Sequence, residues 1–276
     1  MELHKEQSIG VFDSGVGGLT IAHAIKLALP NEKIIYFGDT AHLPYGDKSS
    51  ESIKYYSKNI AKFLLKQNCK IVMIACNTAS AHAYQEVKDE VGDKAIVINV
   101  IEPLVDFIKL KQKIKNIGII GTKGTIESSV YQNKLKTLNM NLNVIAKATP
   151  MFVPMIEEGF IYDDISNAII RAYLSESDFD RIDSLVLACT HYPLIKNQIR
   201  KFFNFKVDVI DSSQIVANYV KQVLTQLNLL NESTEHCNEF YVSDYTKMFE
   251  TIARMFFEED IQLKKLDIWT DNKFDN

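Results

Sequence analysis

The sequence has no hydrophobic run approaching the ~18 residues that a membrane span requires. Its first residues, Met1-Glu-Leu-His-Lys-Glu-Gln7, lack the charged, then apolar, then small-residue order of a secretory signal. A cytoplasmic chain with no membrane partner is the expectation. Basic residues are not in excess: 31 Lys and Arg face 35 Asp and Glu, for a formal net charge of −4. With a pI of about 5.9, no basic stripe is available to displace counterions along phosphates, so nucleic acid is not an expected partner. Cysteine is sparse, with four in 276 residues, which fits a reducing compartment where thiols stay free. No Cys-x-x-Cys pair and no metal-ligand cluster is present. The glycine-rich first loop has neither the Gly-x-Gly-x-x-Gly spacing of a dinucleotide site nor the Gly-Lys-Ser/Thr of a P-loop. Neither a metal nor a bound cofactor is expected.

What is present is an alternation of short β-branched runs with amphipathic helical stretches, the pattern of βαβ units around a parallel sheet. Strands are predicted at Ser8–Asp13, Lys33–Gly38, Lys70–Ala75, Ala95–Val100, Asn116–Gly121, Leu142–Lys147, Asp183–Ala188, Lys206–Asp211, Glu239–Ser243 and Gln262–Asp267. The continuous apolar runs Ile71–Ala75 and Leu185–Ala188 suit a sheet covered on both faces. The chain also repeats itself weakly. Ile9-Gly-Val-Phe-Asp-Ser-Gly resembles Ile117-Gly-Ile-Ile-Gly-Thr-Lys at an offset of 108, and an Ala-Cys-polar-polar unit recurs at an offset of 113. The expected architecture is α/β: two similar doubly wound, Rossmann-like parallel-sheet domains related by pseudo-twofold symmetry, with the active site in the cleft between them. Crossovers near Val100-Ile-Glu-Pro103 and Asp211-Ser-Ser213 divide the chain into 1–99 plus 212–276 and 100–211.

The recurring unit carries the chemistry. Cys76 follows Lys70-Ile-Val-Met-Ile-Ala, and Cys189 follows Asp183-Ser-Leu-Val-Leu-Ala; each is then followed by a polar pair and a helical stretch. Each thiol is expected at a strand end close to a helix N-terminus, where N–H groups and the helix dipole favour a thiolate. Asn77 and Thr78 after the first thiol, and Thr190 and His191 after the second, are hydrogen-bond donors suited to a carboxylate. For His191, a base beside Cys189 and a cap or packed residue are competing readings. Asp13 is the matching candidate for Cys76. The loop Asp13-Ser-Gly-Val-Gly-Gly18 reads either as an anion site or as a tight turn capped by Asp13 or Ser14. The loop Gly38-Asp-Thr-Ala-His-Leu-Pro-Tyr-Gly46 reads either as an ordered surface loop or, with the cysteines considered, as a wall of the cleft, with Tyr45 offering a hydroxyl and Gly46 an unusual backbone path. Of Glu157 and Glu158, one is expected to face the site and the other solvent. Cys69 reads as structural, Cys237 falls in a polar stretch, and Met248–Phe257 reads as core.

Two thiols flanking a small carboxylate-binding pocket suit removal of a proton from one face of a carbon and return of a proton to the other, with one sulfur ionised and one protonated. The segments Val11-Phe-Asp-Ser-Gly-Val-Gly-Gly18, Gly38-Asp-Thr-Ala41, Pro44-Tyr-Gly46, Ala75-Cys-Asn-Thr-Ala-Ser80, Val100-Ile-Glu-Pro103, Gly121-Thr-Lys-Gly-Thr125 and Ala188-Cys-Thr-His-Tyr-Pro193 together resemble those of the bacterial glutamate racemases, within the aspartate/glutamate racemase superfamily. That resemblance implies cofactor-independent interconversion of L- and D-glutamate for peptidoglycan synthesis, with glutamate as the partner. By position, it implies that Cys76 deprotonates D-glutamate, assisted by Asp13, and that Cys189 deprotonates L-glutamate, assisted by Glu157 and His191. Substrate contacts would come from Asp13, Ser14, Tyr45, Gly46, Asn77, Thr78, Thr190 and His191. Two segments depart from the family pattern: His42-Leu43, where many members have Arg, and Val242-Ser-Asp244, which lacks a usual Gly. Monomer and homodimer both stay open.

Overall fold

The computed structural model describes residues 3–111, 113–138, 142–257 and 260–269. Among these the strands are β1 (Ser8–Asp13), β2 (Ile34–Gly38), β3 (Cys69–Ile74), β4 (Ile96–Asn99), β5 (Asn116–Gly121), β6 (Asn143–Ala148), β7 (Ser184–Ala188), β8 (Asp208–Ile210), β9 (Glu239–Val242) and β10 (Leu263–Lys265). The helices are α1 (Leu19–Ala28), α2 (Ser50–Lys66), α3 (Asn77–Val91), α4 (Ile101–Leu110), α5 (Lys123–Glu127), α6 (Val130–Leu138), α7 (Phe152–Glu157), α8 (Asp164–Leu174), α9 (Lys196–Phe202), α10 (Ser213–Gln226) and α11 (Lys247–Phe257). None of them is long and apolar enough to cross a membrane.

Every expected strand forms, with ends displaced by at most two residues. The largest shortening is at β8 and β10, which lie at sheet edges and have a ladder partner on one side only. The strands make two sheets, ordered β10-β9-β2-β1-β3-β4 and β6-β5-β7-β8. All pairings are parallel. The four-strand order 2-1-3-4 therefore occurs twice, which is the duplication foreshadowed by the sequence offset, and β9 and β10 extend the first copy beyond β2.

Burial on both faces explains why these runs lack polar alternation. Ile71 and Met73 of β3 enter a core that continues through Ile117, Ile119 and Leu185 of the second sheet, whereas Val72 and Ile74 pack with Phe12, Phe37 and Leu64 on the opposite face. After β8 the chain turns through Asp211 and Ser212 into α10, which lies against α1 and α4. The Met248–Phe257 segment is core on one face only: Ile252, Ala253, Phe256 and Phe257 of α11 are buried, while Met248 and Met255 are exposed.

A buried ion pair fastens the late part of the chain to the first sheet. The Lys70 ammonium contacts Glu32 at 2.7 Å, with both side chains shut off from solvent. It also donates to the carbonyls of Lys5 and Leu229, and the other Glu32 oxygen accepts the Asn231 N–H at 2.8 Å. Burial lowers the pKa of the Lys70 ammonium against the pull of Glu32. Removing one member strands the other charge in a dry site, so Glu32→Gln is expected to cost about 3–5 kcal/mol of stability in urea unfolding. A loss below about 1 kcal/mol would show that water reaches the site.

Candidate active site

In a sheet ordered 2-1-3-4 the connections leave β1 and β3 toward opposite faces, and a crevice opens at their C-terminal ends. Asp13 ends β1 and Cys76 follows β3 by two residues; Thr122 follows β5 and Cys189 follows β7 in the second sheet. The two crevices are joined directly. The Asp13 carboxylate accepts the Gly15 N–H at 3.0 Å through one oxygen and the Thr190 hydroxyl at 3.3 Å through the other. Asp13 is fully buried, and burial raises its carboxyl pKa against the opposing pull of His191 and the donors around it.

The thiols have unequal surroundings. Cys76 is the N-cap of α3: its sulfur accepts the Ala79 N–H at 3.4 Å and its thiol donates to the Ser14 hydroxyl at 3.7 Å. The expectation that a helix N-terminus favours the thiolate fails here. Burial dominates, the Asp13 charge adds to it, and the thiol is pushed up to about 12 despite the Ala79 and Ser14 bonds. Cys189 differs again. No α-helix opens directly behind it; a 3-10 turn over Tyr192–Ile195 containing Pro193 intervenes, and α9 starts at Lys196. Its polar neighbour is a side chain, with His191 Nδ1 3.9 Å from the sulfur.

His191 is buried between two acceptors. Its Nε2 lies 3.0 Å from Glu157 Oε1, at the last residue of α7, while Glu158 is exposed. Burial opposes charge on the imidazole, but Cys189 on one side and Glu157 on the other outweigh it and raise the pKa to about 10. An acceptor at each ring nitrogen favours the charged form of His191, and the cap reading is set aside: no cap bond is made by its side chain. Asp13 and Ser14 likewise do not cap α1, whose N-cap is Gly18 without a side-chain bond.

The remaining expected residues separate into committed and available groups. Asn77 accepts the buried Tyr131 hydroxyl at 2.7 Å, but its Nδ2 is buried with no partner among the described residues, a donor ready for a ligand oxygen. Thr78 joins a hydroxyl triangle with Thr122 and Thr125 at 2.9–3.1 Å. The Tyr45 hydroxyl is committed to Asp39 at 2.7 Å, so this residue and Gly46 offer backbone to the cleft. Gly46 approaches Thr122 so closely that a Cβ would lie 2.7 Å from the Thr122 Cβ. A cavity of about 190 Å³ opens there, walled by Pro44, Gly46, Thr122, Thr149, Val153 and Glu157. Cys69 is buried away from these groups and is held up to about 12 by burial, and Cys237 is exposed.

Sequence reading missed Tyr131, Thr122, Thr125 and the hydrogen-bonded pair Thr149–Tyr192. Thr122 was accessible in principle, because the repeat aligns Gly121-Thr122 with Asp13-Ser14. Tyr131 gave no signal, since only folding brings it 54 residues back to Asn77.

Residues 19–220 match the Asp/Glu/Hydantoin racemase family. The chain belongs to that family. It is 39% identical over 265 residues to the glutamate racemase of Chlorobaculum parvum, covering 95% of this chain and 97% of the relative. It is 42% identical over 257 residues to that of Aquifex aeolicus, covering 93% and 96%. The crystal structure of glutamate racemase from Francisella tularensis subsp. tularensis SCHU S4 in complex with D-glutamate superimposes with a TM-score of 0.91 at 37% identity, covering 97% of this chain and all of that one. The resemblance carried by the motifs is thus borne out at the level of the family and of its doubly wound fold, and membership makes the protein an isomerase.

The His191 environment sets a pH dependence of stability. A histidine whose folded pKa is raised from 6.5 to about 10 stabilises the fold fully below the unfolded value and loses that contribution as pH rises through the folded one. The stability gap between wild type and His191→Gln, measured by urea unfolding, should be largest near about pH 6 and shrink toward about pH 10. A gap independent of pH would contradict a charged His191.

Proposed function

We propose that the protein racemises glutamate at its α-carbon by two-cysteine proton transfer without a cofactor, supplying D-glutamate for peptidoglycan synthesis in the cytoplasm. The observation that carries this reading is the unlike surroundings of the two thiols: Cys76 is buried beside Asp13, which pushes its pKa up, whereas Cys189 lies 3.9 Å from the His191 imidazole, whose pKa is raised. An imidazolium is a counter-ion for a thiolate, and a buried neutral thiol is a proton donor. In the L-to-D direction Cys189 takes the α-proton as its S–H bond forms and the C–H bond breaks. The electron pair stays on the α-carbon and its carboxylate, and Cys76 delivers its proton to the opposite face. The Cys76 anion then left behind meets the Ala79 N–H and the Ser14 hydroxyl, so the reverse reaction starts from the mirror state.

Glu157 holds His191 in this arrangement, and Asp13 with Thr190 ties the two thiol loops together. The unpartnered Asn77 Nδ2, Thr190 and the backbone at Tyr45-Gly46 are the groups proposed to receive the substrate carboxylates, with Ser14 and Thr78 completing the wall. The same reading divides the chain into 1–99 plus 212–276 and 100–211; the membership of β1–β4, β9 and β10 in one sheet and of β5–β8 in the other supports it. The active site then lies in the cleft between the two domains.

The test is circular dichroism of L-glutamate in D₂O with metal-free enzyme and no added cofactor, with L-aspartate alongside. Loss of the glutamate signal with deuterium at the α-carbon is expected, and L-aspartate should keep its signal. Cys76→Ser and Cys189→Ser should each lower turnover about 10²–10⁴-fold, the usual worth of a positioned acid or base. Near-normal racemisation by either variant would sink the two-thiol mechanism.

A further inference from the structure

The chain around Asp39 holds a buried carboxylate that the proposed reaction does not use. Asp39 follows β2, is wholly buried, and is tied to the site by its own N–H, which donates to the Asp13 carbonyl at 3.0 Å. Three side chains converge on its oxygens: the Ser243 hydroxyl at 2.8 Å, the Tyr45 hydroxyl at 2.7 Å, and His42 Nδ1 at 2.9 and 3.0 Å. A carboxylate only accepts, so Nδ1 is the protonated ring nitrogen. The His42 ring is clamped from outside, stacked on Tyr56 with centroids 4.1 Å apart and met edge-on by Trp269 at 4.8 Å. Ser243 in turn accepts the Ala41 N–H at 2.9 Å, and the Asp244 N–H donates to the Thr40 hydroxyl at 2.8 Å. The end of β9 and the Thr40–Gly46 loop are thereby stitched into one unit. His42 and Ser243, 201 residues apart, thus meet on the same carboxylate.

We infer that His42 is a positioning residue for the substrate pocket: its Nδ1–H fixes the Asp39 carboxylate, Asp39 anchors the Tyr45 hydroxyl, and Tyr45 sets the Pro44–Gly46 backbone that walls the cavity against Thr122. This rests on the reading of that cavity as part of the glutamate site. The Asp39 side chain is cut off from solvent, so every donor removed from it leaves an acceptor unmet. The carboxylate then turns toward the donors that remain, and the loop follows. The effect belongs to substrate binding, because His42 touches neither thiol.

Two substitutions separate the hydrogen bond from the stacking. His42→Phe keeps an aromatic ring against Tyr56 and Trp269 but has no donor, whereas His42→Asn places an N–H where Nδ1 stood and gives up the stack. With His42→Phe, KM for both enantiomers should rise about tenfold while kcat stays within about threefold, the pattern of lost ground-state binding. His42→Asn should restore KM to within about threefold of wild type. A His42→Phe enzyme with unchanged KM, or His42→Asn as impaired as His42→Phe, overturns the inference. A second readout does not depend on the reaction. Amide hydrogen exchange of the 43–50 segment, where the Lys48 N–H donates to Tyr45 O at 3.1 Å, should quicken in His42→Phe and remain at the wild-type rate in His42→Asn. Exchange that is equal in all three proteins overturns the positioning role even if the wild type proves inert toward glutamate, an outcome that would refute only the proposed substrate.

Discussion

A carboxylate removed from water must be ringed by donors or lose its charge, and Asp13 places that demand at the junction of the two sheets. Its side chain takes the Gly15 N–H and the Thr190 hydroxyl, and its carbonyl takes the Asp39 N–H, so three loops from both halves are fixed by one residue. The neighbouring glycines follow from the same closeness. A Cβ at Gly18 would lie 2.5 Å from the Asp13 Cβ, and one at Gly17 would lie 2.5 Å from the His191 ring. Gly17 is the glycine that the second half presses against, whereas Gly15 and Gly18 are crowded by Leu43 and Asp13 of the first, and the approach of the two halves is what puts Thr190 within reach of Asp13.

The duplication delivers equivalent backbone positions, and side chains then make them unequal. Both thiols follow the third strand of a 2-1-3-4 sheet, yet one ends in a helix cap next to a carboxylate and the other in a 3-10 turn next to an imidazole. Under the proposed two-thiol reaction one proton is shared between two sulfurs, and the unlike neighbours Asp13 and His191 are what would tell those sulfurs apart.

Strands β1, β2, β3 and β7 were legible because they are buried along their whole length and read as largely apolar runs, and the thiols because each follows such a run. Asp13, Glu157 and His191 could be singled out by type and place, and the structure sets Glu157 against His191 and Asp13 against Thr190. What escaped reading depends on proximity that only folding creates. The Tyr131–Asn77 bond spans 54 residues and the Ser243–Asp39 bond spans 204, with no periodicity to betray them. The ionisation of Cys76 was misjudged for a related reason: a helix N-terminus is visible in sequence, but the depth of burial that overrides it is not.

The staple between Lys70, Glu32 and the 229–231 segment, with β9 and β10 beyond β2, has a consequence for how the chain is made. Residues 116–210 contain a whole four-stranded sheet and can pair as they leave the ribosome. The first sheet cannot finish on the same schedule, since β2 was synthesised some 200 residues before its outer neighbour β9. Until that neighbour arrives, β2 shows an open edge of unpaired N–H and C=O groups flanked by apolar side chains, the kind of surface on which nascent chains stick to one another. The earliest part of the protein to be translated is thus the last to be closed, and the interval between the two is when a chaperone has a strand to hold.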